Sequence, residues 1–256
     1  MTTDPFILVI AGVFGMMLGS FLNVCIVRLP VDQSVVRPRS RCPRCGREVA
    51  PYDNIPVMSW LLLRGKCRNC KEPISIQYPL VELVVGLMWA GAVWYYGPSL
   101  TAIAAALFGT ILLGIALTDA RHYIIPDEFS VGGLGIGLLI AVIAGWPAFV
   151  TALIGAATGF GILLFVAWAG EKAFKKEAMG GGDIKMMAMV GAFVGWQGVL
   201  LTIFGGSLLG TLVFLPLRLV GKNVLVPFGV FLAAAAGITF VFGDEIIRWY
   251  AAYLQG

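Results

Sequence analysis

The apolar run FILVIAGVFGMMLGSFLNVCIV occupies residues 6–27 and contains no charged side chain. About 20 consecutive apolar residues are enough for an α-helix to cross the hydrocarbon core of a bilayer. The run is longer than the apolar core of a secretory signal peptide, no basic segment precedes it and no small-residue cleavage site follows it. We therefore predict a membrane-spanning helix that the mature chain retains.

Similar apolar runs recur along most of the chain. They lie at about residues 78–96, 99–118, 129–146, 148–170, 184–196, 198–217 and 225–243. Hydrophobic residues make up 59% of the chain and charged residues only 12%, against about a quarter charged in soluble domains. We expect an all-α polytopic membrane protein with about eight transmembrane helices, of which the sixth, at 184–196, is short for a complete crossing.

One segment, residues 29–77, interrupts the apolar sequence and is named here the cysteine module. Ten of the eighteen Lys and Arg residues lie between Arg28 and Lys71, and only four acids accompany them. Six prolines disfavour long helices, and a unit of this size needs more than an apolar core to hold its shape. The chain thus divides into a first transmembrane helix (1–28), the cysteine module (29–77) and a seven-helix membrane domain (78–256).

The cysteine module carries two C-x2-C pairs separated by 21 residues. The pairs are Cys42-Pro43-Arg44-Cys45 and Cys67-Arg68-Asn69-Cys70. Each pair places two thiolates on one turn, and two such turns supply a tetrahedral four-thiolate site for Zn²⁺. Four protein ligands leave no open position, so we predict a structural zinc ion; two disulfides are the alternative, disfavoured in the cytoplasm.

The distribution of basic residues predicts the orientation in the membrane, because cytoplasmic loops are enriched in Lys and Arg. If the cysteine module is cytoplasmic and every run crosses, seventeen of the eighteen basic residues, Lys222 among them, lie inside and only Arg248 lies outside. Both termini are then external. The basic surface of the module also suits contact with anionic lipid headgroups.

Two acids stand at the predicted inner boundary without a structural explanation. Asp183 follows Gly180-Gly181-Gly182, whose backbone permits close approach, and an ionisable group at a membrane boundary is a functional candidate. Asp119 ends the third run, where the helix dipole disfavours an anion. One protonated and one ionised carboxyl can activate water and protonate a leaving amine, so the pair is typical of aspartyl proteolysis.

The other polar groups at this boundary have simpler explanations. Asp127 and Glu128 follow Pro126 at a predicted helix start, where the helix dipole favours acids. His122 is the only histidine of the chain, which leaves His-based catalysis dependent on a single residue in a basic loop. The two aspartates therefore remain the strongest chemical pair.

Several motifs, in this order along the chain, resemble the bacterial type IV prepilin peptidases, also called prepilin leader peptidase/N-methyltransferases, of the GxGD class of intramembrane aspartyl proteases. The resemblance covers nearly the whole sequence. The motifs are GSFLNV (19–24), RLP (28–30), RCPRC (41–45), YDNIPV (52–57), GKCRNC (65–70), YPLVE (78–82), TD through IPD (118–127) and GGGDIK (180–185).

This resemblance implies that Asp119 and Asp183 are catalytic and that Gly180, Gly181, Gly182 and Lys185 form a supporting active-site loop. The implied substrates are precursors of type IV pilins and type II secretion pseudopilins, cut after a glycine at the cytoplasmic face of the bacterial inner membrane. It also implies N-methylation of the new N-terminal residue with S-adenosylmethionine, whose binding residues the sequence does not identify. No nucleic-acid partner is expected.

Two rival interpretations remain at this stage. A transporter or channel is compatible with boundary carboxylates and a zinc docking module, but such proteins carry acids near the bilayer midplane and often two related halves. A non-enzymatic scaffold that recruits a partner through the cysteine module is the other.

Overall fold

The computed structural model describes residues 4–176, 179–221 and 226–255. Within these ranges every regular element is a helix, and extended pairing is limited to two isolated β-bridges, Arg41–Glu48 and Lys66–Pro73. The predicted all-α membrane fold is confirmed. The chain forms two compact units, Met1–Thr110 and Ile111–Gly256, whose boundary falls inside one helix. Lys222, used in the orientation prediction, lies outside the described residues.

The first unit is built on an antiparallel pair of long helices. α1 spans Pro5–Arg28, the short α2 spans Met58–Leu62, α3 spans Gln77–Tyr96, and α4, which spans Leu100–His122, begins here. α1 begins at Asp4, whose side chain accepts the Phe6 N–H at 2.8 Å. A Cβ on Gly19 would lie 2.7 Å from the Cα of Glu82, so only glycine permits this separation of α1 and α3.

The second unit contains the end of α4 and four further helices. They are α5 (Asp127–Ala144), α6 (Trp146–Phe174), α7 (Gly181–Leu219) and α8 (Phe228–Gln255). α5 and α8 both run opposite to α4. Asp119, near the end of α4, meets Val230 at the start of α8, and Leu112, farther back, lies near Gly237. α5 follows α4 after a four-residue connection and returns along it.

α7 is a 39-residue element interrupted at Gly195, whose backbone angles are φ 70° and ψ 177°. These angles are far from helical and lie in a region that glycine alone adopts readily. Before Gly195 the segment runs parallel to α5, because Gly133 packs against Met189 and Gly137 packs against Phe193. The first half of α7 therefore leads away from the ends of α4 and α8 that meet at Asp119.

After Gly195 the chain returns. Gly198 packs against Thr239 and Gly206 against Leu232, so the second half of α7 runs antiparallel to α8. Since α5 and α8 share one direction, the two halves of α7 have opposite directions, and α7 is a helical hairpin with its turn at Gly195.

Seven helices of the described chain are long and apolar enough to cross a membrane, against about eight in the sequence prediction. The difference is confined to α7, which contains both the run at 184–196 and the run at 198–217 as one element. The two halves of α7 are separated only by the non-helical Gly195, so no connecting loop divides them.

Candidate functional sites

Asp119 lies near the end of α4 and is 6% exposed. Its Oδ2 accepts the Val230 N–H at 3.2 Å, and a Cβ on Gly229 would lie 2.9 Å from the same oxygen. Backbone N–H groups in the first turn of α8 therefore face the carboxylate, and a helix N-terminus favours an anion. The sequence offered no partner for Asp119, and α8 provides one.

Asp183 lies in the first turn of α7, and its Oδ1 is buried without a hydrogen-bond partner among the described residues. A buried polar atom without a partner is costly, because the bond it made to water is not replaced. Such an atom is suited to accept a hydrogen bond from a bound water or substrate. Gly180 caps the helix with extended backbone angles, φ −70° and ψ 141°.

The two aspartates converge on one region of the second unit. A Cβ on Gly182, next to Asp183, would lie 3.0 Å from Ile125 Cβ, and one on Gly229, beside Asp119, would lie 2.9 Å from Ile125 Cδ1. Ile125 therefore borders the surroundings of both carboxyl groups. The structure thus brings together the two acids that the sequence singled out.

Lys185 pairs with Asp127 and does not contact the two converging aspartates. Its Nζ donates to both carboxylate oxygens of Asp127 at 2.8 Å, which joins the first turns of α7 and α5. Both side chains are largely exposed, and exposed ion pairs contribute about 0–1 kcal/mol. The pair therefore orients two helix starts more than it stabilises the fold, and Asp127 has a role beyond its favourable place at a helix start.

The four cysteines of the two C-x2-C pairs form one cluster. Their Sγ atoms all lie within 4.8 Å of one another, and Cys42 Sγ and Cys70 Sγ are 3.7 Å apart. Zn–S bonds of about 2.3 Å in a tetrahedron require sulfur separations of about 3.8 Å. None of these four cysteines is in a disulfide. The cluster has the ligand number and dimensions of a four-thiolate metal site.

The thiols of this cluster cannot all ionise easily without a cation. The Arg47 backbone N–H, helped by the Asn69 side chain, lowers the pKa of Cys45 to about 6. The Glu72 backbone N–H favours the Cys70 thiolate. Desolvation and the neighbouring thiols have the larger combined effect and raise the pKa of Cys70 to about 12. A divalent cation offsets the repulsion between neighbouring thiolates, so the residues present fit a bound metal ion.

Polar contacts fix the two turns of the cluster to each other and to the rest of the module. Arg47 donates to Asn69 Oδ1 at 2.7 Å, which links the first turn to the second. The Arg68 guanidinium binds both oxygens of Asp53 at 2.7–3.0 Å and lowers the pKa of that carboxyl. Part of the basic excess of the module is therefore paired internally.

Comparison with known proteins gives matches over most of the chain. Residues 13–96 match the family model described as Bacterial Peptidase A24 N-terminal domain, and residues 106–215 match the Type IV leader peptidase family. A prepilin leader peptidase/N-methyltransferase of Myxococcus xanthus is 44% identical over 209 residues, which are 82% of this chain and 62% of that relative.

Two further relatives with the same description are covered almost completely. The protein of Stutzerimonas stutzeri is 37% identical over 282 aligned positions, which cover 100% of this chain and 96% of the relative. The protein of Pseudomonas aeruginosa is 37% identical, with 93% of this chain and 91% of the relative covered. No solved structure gives a significant match.

Proposed function

The chain belongs to the type IV leader peptidase family, and from this premise we propose that it is a prepilin leader peptidase and N-methyltransferase. It cleaves the leader from type IV prepilins or type II secretion pseudopilin precursors after a glycine, and then methylates the new N-terminal residue. The observation that carries the proposal is the convergence of Asp119 and Asp183, of which Asp183 has a buried oxygen without a hydrogen-bond partner among the described residues. The family relations do not favour a transporter or channel.

The surroundings of the two carboxyls suggest a division of roles. Asp119 accepts a backbone N–H from the first turn of α8, which favours its ionised form as the general base. Asp183 has no such donor on Oδ1 in the described part of the chain and is the better candidate for the carboxyl that holds the shared proton. Asp119 takes a proton from a water molecule while the oxygen of that water attacks the scissile carbonyl carbon. Asp183 gives its proton to the leaving nitrogen as the C–N bond breaks.

The Gly180-Gly181-Gly182 segment supports this chemistry by leaving space beside Asp183. Among the described residues, Gly181 has no heavy atom within 4 Å of the position of a Cβ, and Gly180 has only the Asp183 carboxylate, at 3.5 Å. An extended peptide can therefore approach the Asp183 backbone closely. Lys185, held by Asp127, keeps the start of α7 next to α5.

The proposed activity also requires a metal ion and a methyl donor. Cys42, Cys45, Cys67 and Cys70 hold a structural Zn²⁺, which the sulfur cluster fits in number and spacing. S-adenosylmethionine supplies the methyl group. The sequence does not identify its binding residues, because no glycine-rich nucleotide fingerprint of the Rossmann type occurs in the cysteine module.

The proposed function is tested with the purified chain and a prepilin precursor, with and without S-adenosylmethionine. We expect loss of the leader in both reactions and a product one methyl group heavier when the methyl donor is present. Mass spectrometry of the product N-terminus measures both steps. The control is an Asp119→Asn/Asp183→Asn double variant with the same metal content. A metal-loaded wild-type protein that leaves the precursor intact contradicts the proposal.

We further propose that the chain lies in the bacterial inner membrane with its N-terminus outside and the cysteine module in the cytoplasm. In intact spheroplasts, an Asp4→Cys variant should react with a membrane-impermeant maleimide, because position 4 precedes α1 on the outer side. An Arg64→Cys variant, in the module, should react only after the membrane is permeabilised. Mass shifts of the labelled protein give the measurement, and the reverse pattern would overturn the orientation.

A further inference from the structure

The short helix α2 presents an apolar face that no part of the described chain covers. Met58, Leu61 and Leu62 are 54%, 56% and 77% exposed, and their i, i+3, i+4 spacing places them on one side of the helix. The opposite side is fixed: the Ser59 hydroxyl donates to the Tyr52 carbonyl at 3.1 Å and accepts the Ile55 N–H at 3.1 Å. The hydrogen bonds of Ser59 therefore hold the apolar side chains of α2 on its outward side.

Trp60 reinforces this orientation. Its Nε1 donates to the Ile74 carbonyl at 3.1 Å, and its ring packs against Gly65, where a Cβ would lie 2.8 Å from Cζ2. These contacts anchor the indole against the segment that leads into α3. α2 cannot rotate to bury its leucines without breaking both contacts.

A buried carboxylate sets the position of α2 along α3. Glu82 is 8% exposed, and its Oε2 accepts the Val57 N–H at 2.7 Å. Val57 directly precedes α2 and has φ 60° and ψ −51°, a costly conformation for a β-branched residue. Glu82 stands five residues after the first residue of α3, about 7.5 Å along the axis at about 1.5 Å per residue.

This bond gives the apolar face a depth relative to the membrane. α3 is a membrane-spanning candidate that begins at Gln77. A helix that enters the bilayer from this end has its second turn at the boundary of the lipid. α1, which precedes the cysteine module, is a candidate span as well, and the module is therefore tethered to the membrane at both ends. α2 consequently lies at the level of the lipid headgroups, and not in open solvent.

Two cations follow the apolar face directly. Arg64 and Lys66 are exposed, and neither has an ion pair within the described ranges, in contrast to Arg41, Arg44 and Arg68. Exposed leucines next to unpaired basic side chains are the composition of segments that lie in the interface of an anionic membrane.

We propose that Met58, Leu61 and Leu62 insert into the headgroup–acyl boundary of an anionic leaflet while Arg64 and Lys66 bind lipid phosphates, with Glu82 as the positioning residue that sets the depth of α2. A peptide substrate is the competing occupant, but it would leave the leucines in water between turnovers. The inference does not depend on the proposed peptidase chemistry, because none of these residues belongs to the unit that holds Asp119 and Asp183.

The test uses the full chain, with zinc bound, in nanodiscs of mixed phosphatidylcholine and phosphatidylglycerol. A photoreactive benzoylphenylalanine replaces Leu62, and the matched control carries it at Arg44, which is equally exposed but paired with Glu72 beside the sulfur cluster. We expect several-fold more lipid adducts from position 62, with phosphatidylglycerol enriched over its mole fraction. Equal yields at the two positions, or adducts at position 62 only with added precursor peptide, would overturn the proposal.

Three further variants of the Leu62-labelled chain test the roles of the charges. Arg64→Gln/Lys66→Gln should retain the lipid adducts and lose the phosphatidylglycerol enrichment. Glu82→Gln, which keeps an acceptor for the Val57 N–H, should retain the adducts, whereas Glu82→Leu should lower them several-fold. Metal content and precursor cleavage report whether each variant has folded. Equal adduct yields for Glu82→Gln and Glu82→Leu would show that Glu82 does not set the depth.

Discussion

Asp119→Asn and Asp183→Asn should each lower the rate of precursor cleavage by at least about a hundredfold, because general acid and general base catalysis each contribute about 10²–10⁴. An amide can neither take the proton of the attacking water nor donate one as a carboxylic acid does. The two losses should not add in the double variant, because each carboxyl acts only through the other. Single-turnover cleavage of a precursor in nanodiscs measures the rate.

Asp127→Asn is the matched control for this pair, since it removes a neighbouring carboxylate charge at almost constant volume. It breaks the ion pair with Lys185 and leaves Asp119 and Asp183 in place, so substantial cleavage should remain. Lys185→Gln should have a similar effect, and the double variant should be no worse than either single one, because both lose the same contact. Normal cleavage by Asp119→Asn together with inactivity of Asp127→Asn would make Asp127 the partner of Asp183.

Much of the fold follows from the sequence because its main signals are local. The length of an apolar run predicts a membrane span without any knowledge of its neighbours, and the bounds of α1, α3 and α5 agree with the predicted runs within a few residues. The C-x2-C pairs are equally local, since each needs only one turn to place two sulfur atoms. The sequence predicted two helices where the structure has the α7 hairpin. It did not predict that they join at Gly195 without a loop.

The parts that the sequence left open depend on contacts between distant residues. Val230 binds Asp119 from 111 positions away, and Lys185 binds Asp127 from 58 positions away. A single sequence carries no periodicity that connects such residues. The glycine at position 229, at the start of an apolar run, was the one available signal that a backbone approaches another group closely there.

The cysteine module shows the same limit. The sequence predicted a basic surface suited to anionic lipid. Arg41, Arg44 and Arg68 are paired with acids of the module, whereas Arg64 and Lys66 have no ion pair among the described residues. The partner of Glu82 is the Val57 backbone N–H, which no sequence pattern reveals. The geometry therefore divides the basic residues into those paired with an acid of the module and those without an ion pair in the described part of the chain.

Removal of the metal should unfold the cysteine module. Structural zinc sites contribute apparent binding free energies of about 10–16 kcal/mol at neutral pH, which the few buried side chains of this segment cannot replace. The wild-type chain should contain one equivalent of zinc, and Cys42→Ser and Cys67→Ser should each lose most of it. Elemental analysis gives the metal content. Limited trypsin digestion gives the state of the module, whose many Lys and Arg residues become cleavable once it opens.

Cys25→Ala is the matched control, because Cys25 is the fifth cysteine, is buried in α1 and lies outside the sulfur cluster. It should retain the full metal content and the wild-type resistance to trypsin. Acidification should release the metal from the wild-type chain, since protons compete with the cation for four thiolates. The helices of the second unit should stay folded in Cys67→Ser, because they share no residue with the module. A wild-type protein with less than about half an equivalent of zinc, and with free thiols or disulfides at these positions, would contradict the four-thiolate site.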